Sequence, residues 1–111
     1  MKQISSESMI IHDESETLQV GSIVIVKDAT DLAIQIFGTS TIFTVDFEAS
    51  LDGIHFDTFE GYKIGDTTKT LITNATSNGL YEFDVTLMRA FRANLKTISN
   101  GNVSVVAIAL Y

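Results

Sequence analysis

The sequence contains no cysteine, no proline and no tryptophan. Without cysteine there can be no disulfide framework, thiolate zinc site or cysteine nucleophile. Without proline, tight connections fall to Asn, Asp and Gly. The missing tryptophan removes the ring best suited to stacking on the apolar side of a sugar. Basic residues are also few: Lys+Arg number 7 against 14 Asp+Glu, a formal charge of -7. Such a field repels phosphate backbones and anionic headgroups, so nucleic acid is not an expected partner. No apolar run approaches the roughly 18 residues of a membrane-spanning helix. The longest is Val103 to Tyr111, and membrane insertion is not expected. The opening MKQISSESMII carries one Lys and is broken by Ser and Glu before an apolar segment can form. A soluble chain made in the cytoplasm is therefore expected.

Hydrophobic residues make up 45% of the 111 positions, enough for one core and too few residues for a second domain. A single domain over residues 1–111 is expected. Thirteen Ile, eight Val and thirteen Thr make nearly a third of the chain β-branched. These residues lose side-chain freedom in helices and pack well on a pleated sheet. The periodicity agrees with strands. Phe43, Val45, Phe47 and Ala49 alternate with Thr44, Asp46, Glu48 and Ser50; Tyr81, Phe83 and Val85 alternate with Glu82, Asp84 and Thr86. Phe91, Ala93 and Leu95 alternate with Arg92, Asn94 and Lys96. Further strands are expected at about Ser6 to Ile11, Leu18 to Lys27, Leu32 to Phe37, Ile54 to Lys63 and Thr70 to Ala75.

Asp52-Gly53, Asn78-Gly79 and Asn100-Gly101 suit the positive φ of primed hairpin turns. The last of these predicts a terminal antiparallel hairpin. Leu87, Met88, Phe91 and Leu95 also lie at helical spacing, but a turn after Thr86 and a strand from Ala90 fit the flanking pattern better. The expected fold is an all-β antiparallel β-sandwich, jelly-roll-like, with about eight or nine strands.

Two segments do not alternate. Ile23 to Val26 and most of Val103 to Tyr111 are apolar on both faces, whereas a two-layer sandwich buries only one face of each sheet. The outer face of the last strand, Val106, Ile108 and Leu110, therefore needs a cover. Either a loop of the same chain or a second subunit can supply it.

Catalytic chemistry has little material here. His12 and His55 lack a metal-ligand spacing, and there is no nucleophile elbow, P-loop or dinucleotide fingerprint. His12 reads as a solvated strand end and His55 as an outward residue after a turn. The acidic groups Asp13, Glu14 and Glu16, Asp28 and Asp31, and Asp52 and Asp57 do not follow a calcium-loop spacing and read as solvated loops. No enzyme activity, metal or cofactor is expected. Phe56, Phe59 and Tyr62, edged by Asp57 and Glu60, could form an aromatic platform for a carbohydrate if they face outward; core packing is the competing fate.

The strings TIFTVDFEASLDGIHFDTFEGYKIGD and NGLYEFDVTLMRAFRANLKTISNGNVSVVAIAL resemble a small all-β module of tailed-bacteriophage virion proteins, especially siphophages of Gram-positive hosts. The likeness lies in Phe43 through Gly53, Gly79 through Thr86, Phe91 through Ala93 and Ser99 through Val106. After the double Val the module often continues Gly-Arg, where this chain has Ala107-Ile108. Residues 1–40 fall outside the likeness, as extra strands or an assembly arm. The resemblance implies a virion structural protein made in the bacterial host, a tail-associated accessory or receptor-binding module acting by protein contact. It further implies a homo-oligomer, a trimer by the symmetry of a tail, with other virion proteins as partners. A host-surface glycan binder and a capsid decoration protein are the alternatives.

Overall fold

The computed structural model describes residues 8–111, so the expected strand at Ser6 begins outside the described part. Ten strands form: β1 (Met9–Ser15), β2 (Val24–Ile25), β3 (Asp31–Phe37), β4 (Ile42–Ser50), β5 (Asp57–Thr58), β6 (Tyr62–Lys63), β7 (Asn74–Ala75), β8 (Gly79–Asp84), β9 (Ala90–Ser99) and β10 (Val103–Leu110). They build two antiparallel sheets. Sheet A runs β1-β10-β3-β8-β6, and sheet B runs β2-β9-β4-β5, with β7 also paired to β4.

Setting aside the short β5 and β6, the orders β1-β10-β3-β8 and β2-β9-β4-β7 are those of a jelly roll, in which successive strands alternate between sheets. This topology corrects the expected terminal hairpin. Asn100 and Gly101 do take positive φ, 55° and 97°. Their turn nevertheless carries the chain from β9 in sheet B to β10 in sheet A. The reason is packing at that end of the sandwich. The Asn102 carbonyl accepts from Thr39 and Ser40 at 3.1 Å each, tying this turn to the β3–β4 connection. Asn78-Gly79 likewise crosses between sheets, from β7 to β8. After Asp52-Gly53, β5 does fold back on β4, but across the residues 51–56 rather than a two-residue turn.

Residues 9–37 are integral to the sandwich, with β3 central in sheet A between β10 and β8. The expected strand from Ile54 to Lys63 is broken in two. β5 belongs to sheet B and β6 to sheet A, and between them Phe59 packs against the core while Gly61 passes close over Phe83. Leu18 to Lys27 is also mostly not strand: a Gln19–Leu95 pair and the two residues of β2 are what meet β9.

The core lies between the sheets. Phe43, Val45 and Phe47 from β4, Tyr81 and Phe83 from β8, Phe91, Ala93 and Leu95 from β9, and Val103, Val105 and Ala107 from β10 all point inward. Phe47 meets Phe83 edge to face at 4.7 Å between centroids, and Phe83 meets Phe91 at 4.8 Å. Such pairs each add about 0.5–1.5 kcal/mol beyond area burial. The buried Tyr81 hydroxyl donates to the Ser77 carbonyl at 2.6 Å.

Candidate functional site

No group of three or more His, Cys, Asp or Glu among the described residues is placed to share a metal ion. The molecule's chemistry lies instead on its outer faces and at its loop end. The alternation of β10 sends Val103, Val105, Ala107 and Ala109 into the core and Val106, Ile108 and Leu110 to the outside of sheet A. The strand register places these in rows. Ile10, Val106, Gln35 and Leu80 lie side by side across β1, β10, β3 and β8. The next row is Ile108, Ala33, Glu82 and Tyr62; the last is Leu110, Asp31 and Asp84. The face is thus apolar on the β10 side and acidic on the β8 side. Ile10 is 59% exposed and Ile108 38%, while Val106 and Leu110 are half-buried with no loop of the described chain closed over them. The Tyr62 hydroxyl donates to Glu82, and this bond raises the Tyr62 pKa.

The outside of sheet B is polar in its middle, with Ile42 of β4 and Ile25 of β2 exposed toward its margins. Thr44, Asp46 and Glu48 of β4 stand beside Thr97, Asn94 and Arg92 of β9. Arg92 Nε donates to Glu48 Oε1 at 2.6 Å, and the guanidinium lies 4.2 Å above the Phe56 ring. Asn94 is buried, and Asp46, Glu48 and Arg92 in the middle of this face are only part-exposed.

The three rings expected to form a platform do not share a face. Phe56 sits under Arg92 outside sheet B, and Tyr62 lies outside sheet A. Phe59 packs between them against Phe83 and Phe91, 6.3 and 6.5 Å between centroids. The chain's crossing between sheets at residues 59–61 separates what sequence proximity placed together.

At the loop end, a cleft of about 410 Å³ opens between the β4–β5 and β8–β9 connections, lined by Leu51, Asp52, His55, Asp57, Phe59 and Met88 among others. Asp52 organises its rim. Its Oδ1 accepts from the Ser50 hydroxyl and the Ile54 and His55 amides, each at 2.8 Å, and its Oδ2 meets His55 Nδ1 at 2.6 Å. The His55 side chain holds the Asp52 carboxyl below the usual carboxylate range, with the His55 and Ile54 amides and Ser50 adding to it; in return Asp52 raises the His55 pKa. Ser50, Asp52 and His55 are not a catalytic triad. The serine hydroxyl donates to the carboxylate, so the imidazole is not aimed at it as a base.

His55 faces outward as expected, but His12 does not lie at a solvated strand end. It is 2% exposed, with Nε2 at 2.6 Å from the Ala93 carbonyl and Nδ1 at 3.2 Å from the Ser15 hydroxyl. Burial lowers its pKa, and the bond to Ala93 opposes that shift. Sequence reasoning missed this residue because the irregular register of β1 turns it inward. The one signal was the apolar Ile10-Ile11 pair before it, which already breaks alternation.

Fold and surface together define a jelly-roll domain that presents its chemistry on an outer sheet face and loop ends. A sequence profile of the XepA family matches residues 5–109, and the chain belongs to that family. No curated protein sequence matches the chain. Among solved structures it is similar to the SPBc2 prophage-derived protein YomS, with a TM-score of 0.88 and 18% identity over 100% of this chain and 96% of that one. It is also similar to the PBSX exported protein XepA, with a TM-score of 0.89 and 20% identity over 99% of this chain. There the chain spans 38% of the XepA chain.

Proposed function

We propose that this protein is a phage structural module that works by protein contact rather than catalysis, and that the outer face of sheet A is its assembly surface. The observation that carries the reading is the difference between the two outer faces. The middle of sheet B carries Glu48, Arg92 and Asn94 in one hydrogen-bonded network, with Ile25 and Ile42 exposed toward its margins, while on sheet A the exposed Ile10 and Ile108 adjoin the half-buried Val106 and Leu110. Contiguous apolar surface of this kind is uncommon on a free monomer and marks an interaction site. The family and the prophage origin of the two similar structures support a phage setting. A tail-associated place in the virion, with other virion proteins as neighbours, is the finer form of this reading. The first partner is a second copy of the chain, in a closed ring for which threefold symmetry is the expected order.

Light scattering on the purified protein at micromolar concentration tests it. A multiple of 12.1 kDa is expected, falling to a folded monomer when Ile108→Asp places a charge in the centre of the face. A monomeric wild type sinks the assembly claim.

A second reading rests on the loop-end cleft, where the part-buried Phe59 and Met88 and the exposed Leu51 offer apolar surface and His55, Asp57 and Thr58 offer hydrogen-bonding groups. That mixture suits a host-surface glycan. A screen against cell-wall glycans with wild type and His55→Ala decides it, and equal binding by both removes the cleft from consideration.

A further inference from the structure

His12 sits where the two sheets meet at their open edge. Register shifts between β1 and β10 on either side of it turn both Ile11 and His12 inward, where strict alternation would send one of them out. Across the gap lies β9 of sheet B. On that edge of β9, Gln19 pairs with Leu95 and Val24 with Phe91. Between these pairs, residues 20–23 leave the strand, and the His12 imidazole takes their place as hydrogen-bond donor to the Ala93 carbonyl.

The departing loop closes over the ring. Gly21 has φ +77°, and a Cβ there would lie 2.7 Å from His12 Nε2 and 2.9 Å from Cε1. The Ser22 amide donates to the Ile11 carbonyl at 3.1 Å. One imidazole therefore joins β1, the 20–23 loop and β9.

We propose that His12 is an acid-released latch, whose protonation opens the β1 and 19–25 edge of the sandwich while the rest stays folded. The neutral ring satisfies both contacts, donating from Nε2 to Ala93 and accepting the Ser15 hydroxyl at Nδ1. The imidazolium carries two donors, so Ser15 must turn its hydroxyl away, and a charge then lies buried. Among the described residues, none of the packed elements supplies a counter-charge. On β1, Asp13 and Glu14 are exposed; residues 19–24 hold no ionisable group; on β9, Arg92 is paired with Glu48 on the outer face and Lys96 is exposed; Val103 to Val105 of β10 do not titrate. Burial holds the latched pKa below 6.5. The opened edge regains the ordinary value, so opening becomes easier as pH falls below 6.5 and levels off beneath the latched pKa.

Hydrogen–deuterium exchange read by mass spectrometry tests this, with labelling times scaled for the pH dependence of amide chemistry. Peptides covering 9–15 and 19–26 should open about tenfold more per pH unit within that window, the slope of one linked proton. Peptides from β4 and β8 should hold their protection. His12→Gln keeps a donor for Ala93 and does not titrate, so its edge should show no slope whatever its overall stability. NMR titration of the His12 ring in the wild type gives the second readout, with a midpoint below 6.5 that tracks the exchange. A wild-type edge without a pH slope, an equal slope in His12→Gln, or a ring that titrates without any change at the edge overturns the proposal.

Discussion

The two histidines show how one residue type acquires opposite roles from its surroundings. His12 is buried with a lowered pKa, so its contribution to stability is complete above 6.5 and is lost as pH falls toward the latched value. His55 is exposed beside Asp52 with a raised pKa, so its contribution is present below 6.5 and is lost as pH rises through the folded value. The two slopes have opposite signs and meet at 6.5, His55 acting above it and His12 below. Replacing His55 with Asn should therefore remove the gain in stability on acidification toward 6.5 and leave the His12-linked loss below 6.5 in place, as read by urea unfolding at a series of pH values. Asp52→Asn should bring the His55 midpoint down toward 6.5 in an NMR titration, because the Asp52 contact is the main cause of its rise. An unmoved midpoint would mean that the short Nδ1 contact is not formed in solution. Neither histidine's role was readable from sequence. His55 needed the fold of residues 50–55 around one carboxylate, and His12 needed an irregular strand register that no local pattern announces.

At the scale of elements, strands with clean alternation were legible and those shaped by crossings between sheets were not. β4 and β8 keep the period expected of Phe43 to Ala49 and of Tyr81 to Phe83, because each has one face in the core, the β3–β8 ladder is regular, and the extra residue in the β4–β9 ladder falls on β9. β9 departs from it: Thr44 pairs with Thr97 and Val45 with Leu95, so Lys96 bulges and Ile98 turns toward the core in place of Thr97. Turn chemistry was legible at Asn100-Gly101, but not which strands the turn joins, since a primed turn can end a ladder as well as link one. Glycines separate conformational need from close packing. Gly65 has φ +101° with nothing within 4 Å of a notional Cβ, whereas at Gly101, φ +97°, that Cβ would lie 2.6 Å from Thr39 Oγ1 and 2.8 Å from the Ser40 amide nitrogen. Gly65→Ala should cost about 1–2 kcal/mol, the strain of a left-handed residue. Gly101→Ala should cost roughly 1–3 kcal/mol more, the usual cost of overpacking. Denaturant midpoints of the two variants measure the difference, and equal losses would remove the role assigned to contact between the two loops.

For the molecule as a whole, the sequence signalled the proposed assembly face through an apolar excess in Val103 to Tyr111. Sequence could not show its neighbours, because Ile10, Ala33 and Leu80 reach that face only through the strand order of sheet A. The face also carries Asp31, Glu82 and Asp84 on its β8 side, so two kinds of self-contact must be distinguished. If apolar burial around Ile108 drives association, each protomer brings a formal charge of -7 that opposes it. Salt then screens repulsion between copies over a Debye length of about 10 Å at 0.1 M and about 3 Å at 1 M. Association should strengthen as sodium chloride rises across that range, in sedimentation equilibrium at fixed protein concentration. If instead the acidic side of the face meets lysines or arginines of the next copy, the same salt series weakens the complex. Dissociation on adding salt, joined to an intact oligomer in Ile108→Asp, would move the contact from the β10 side to the carboxylates and leave the apolar rows without an assembly role.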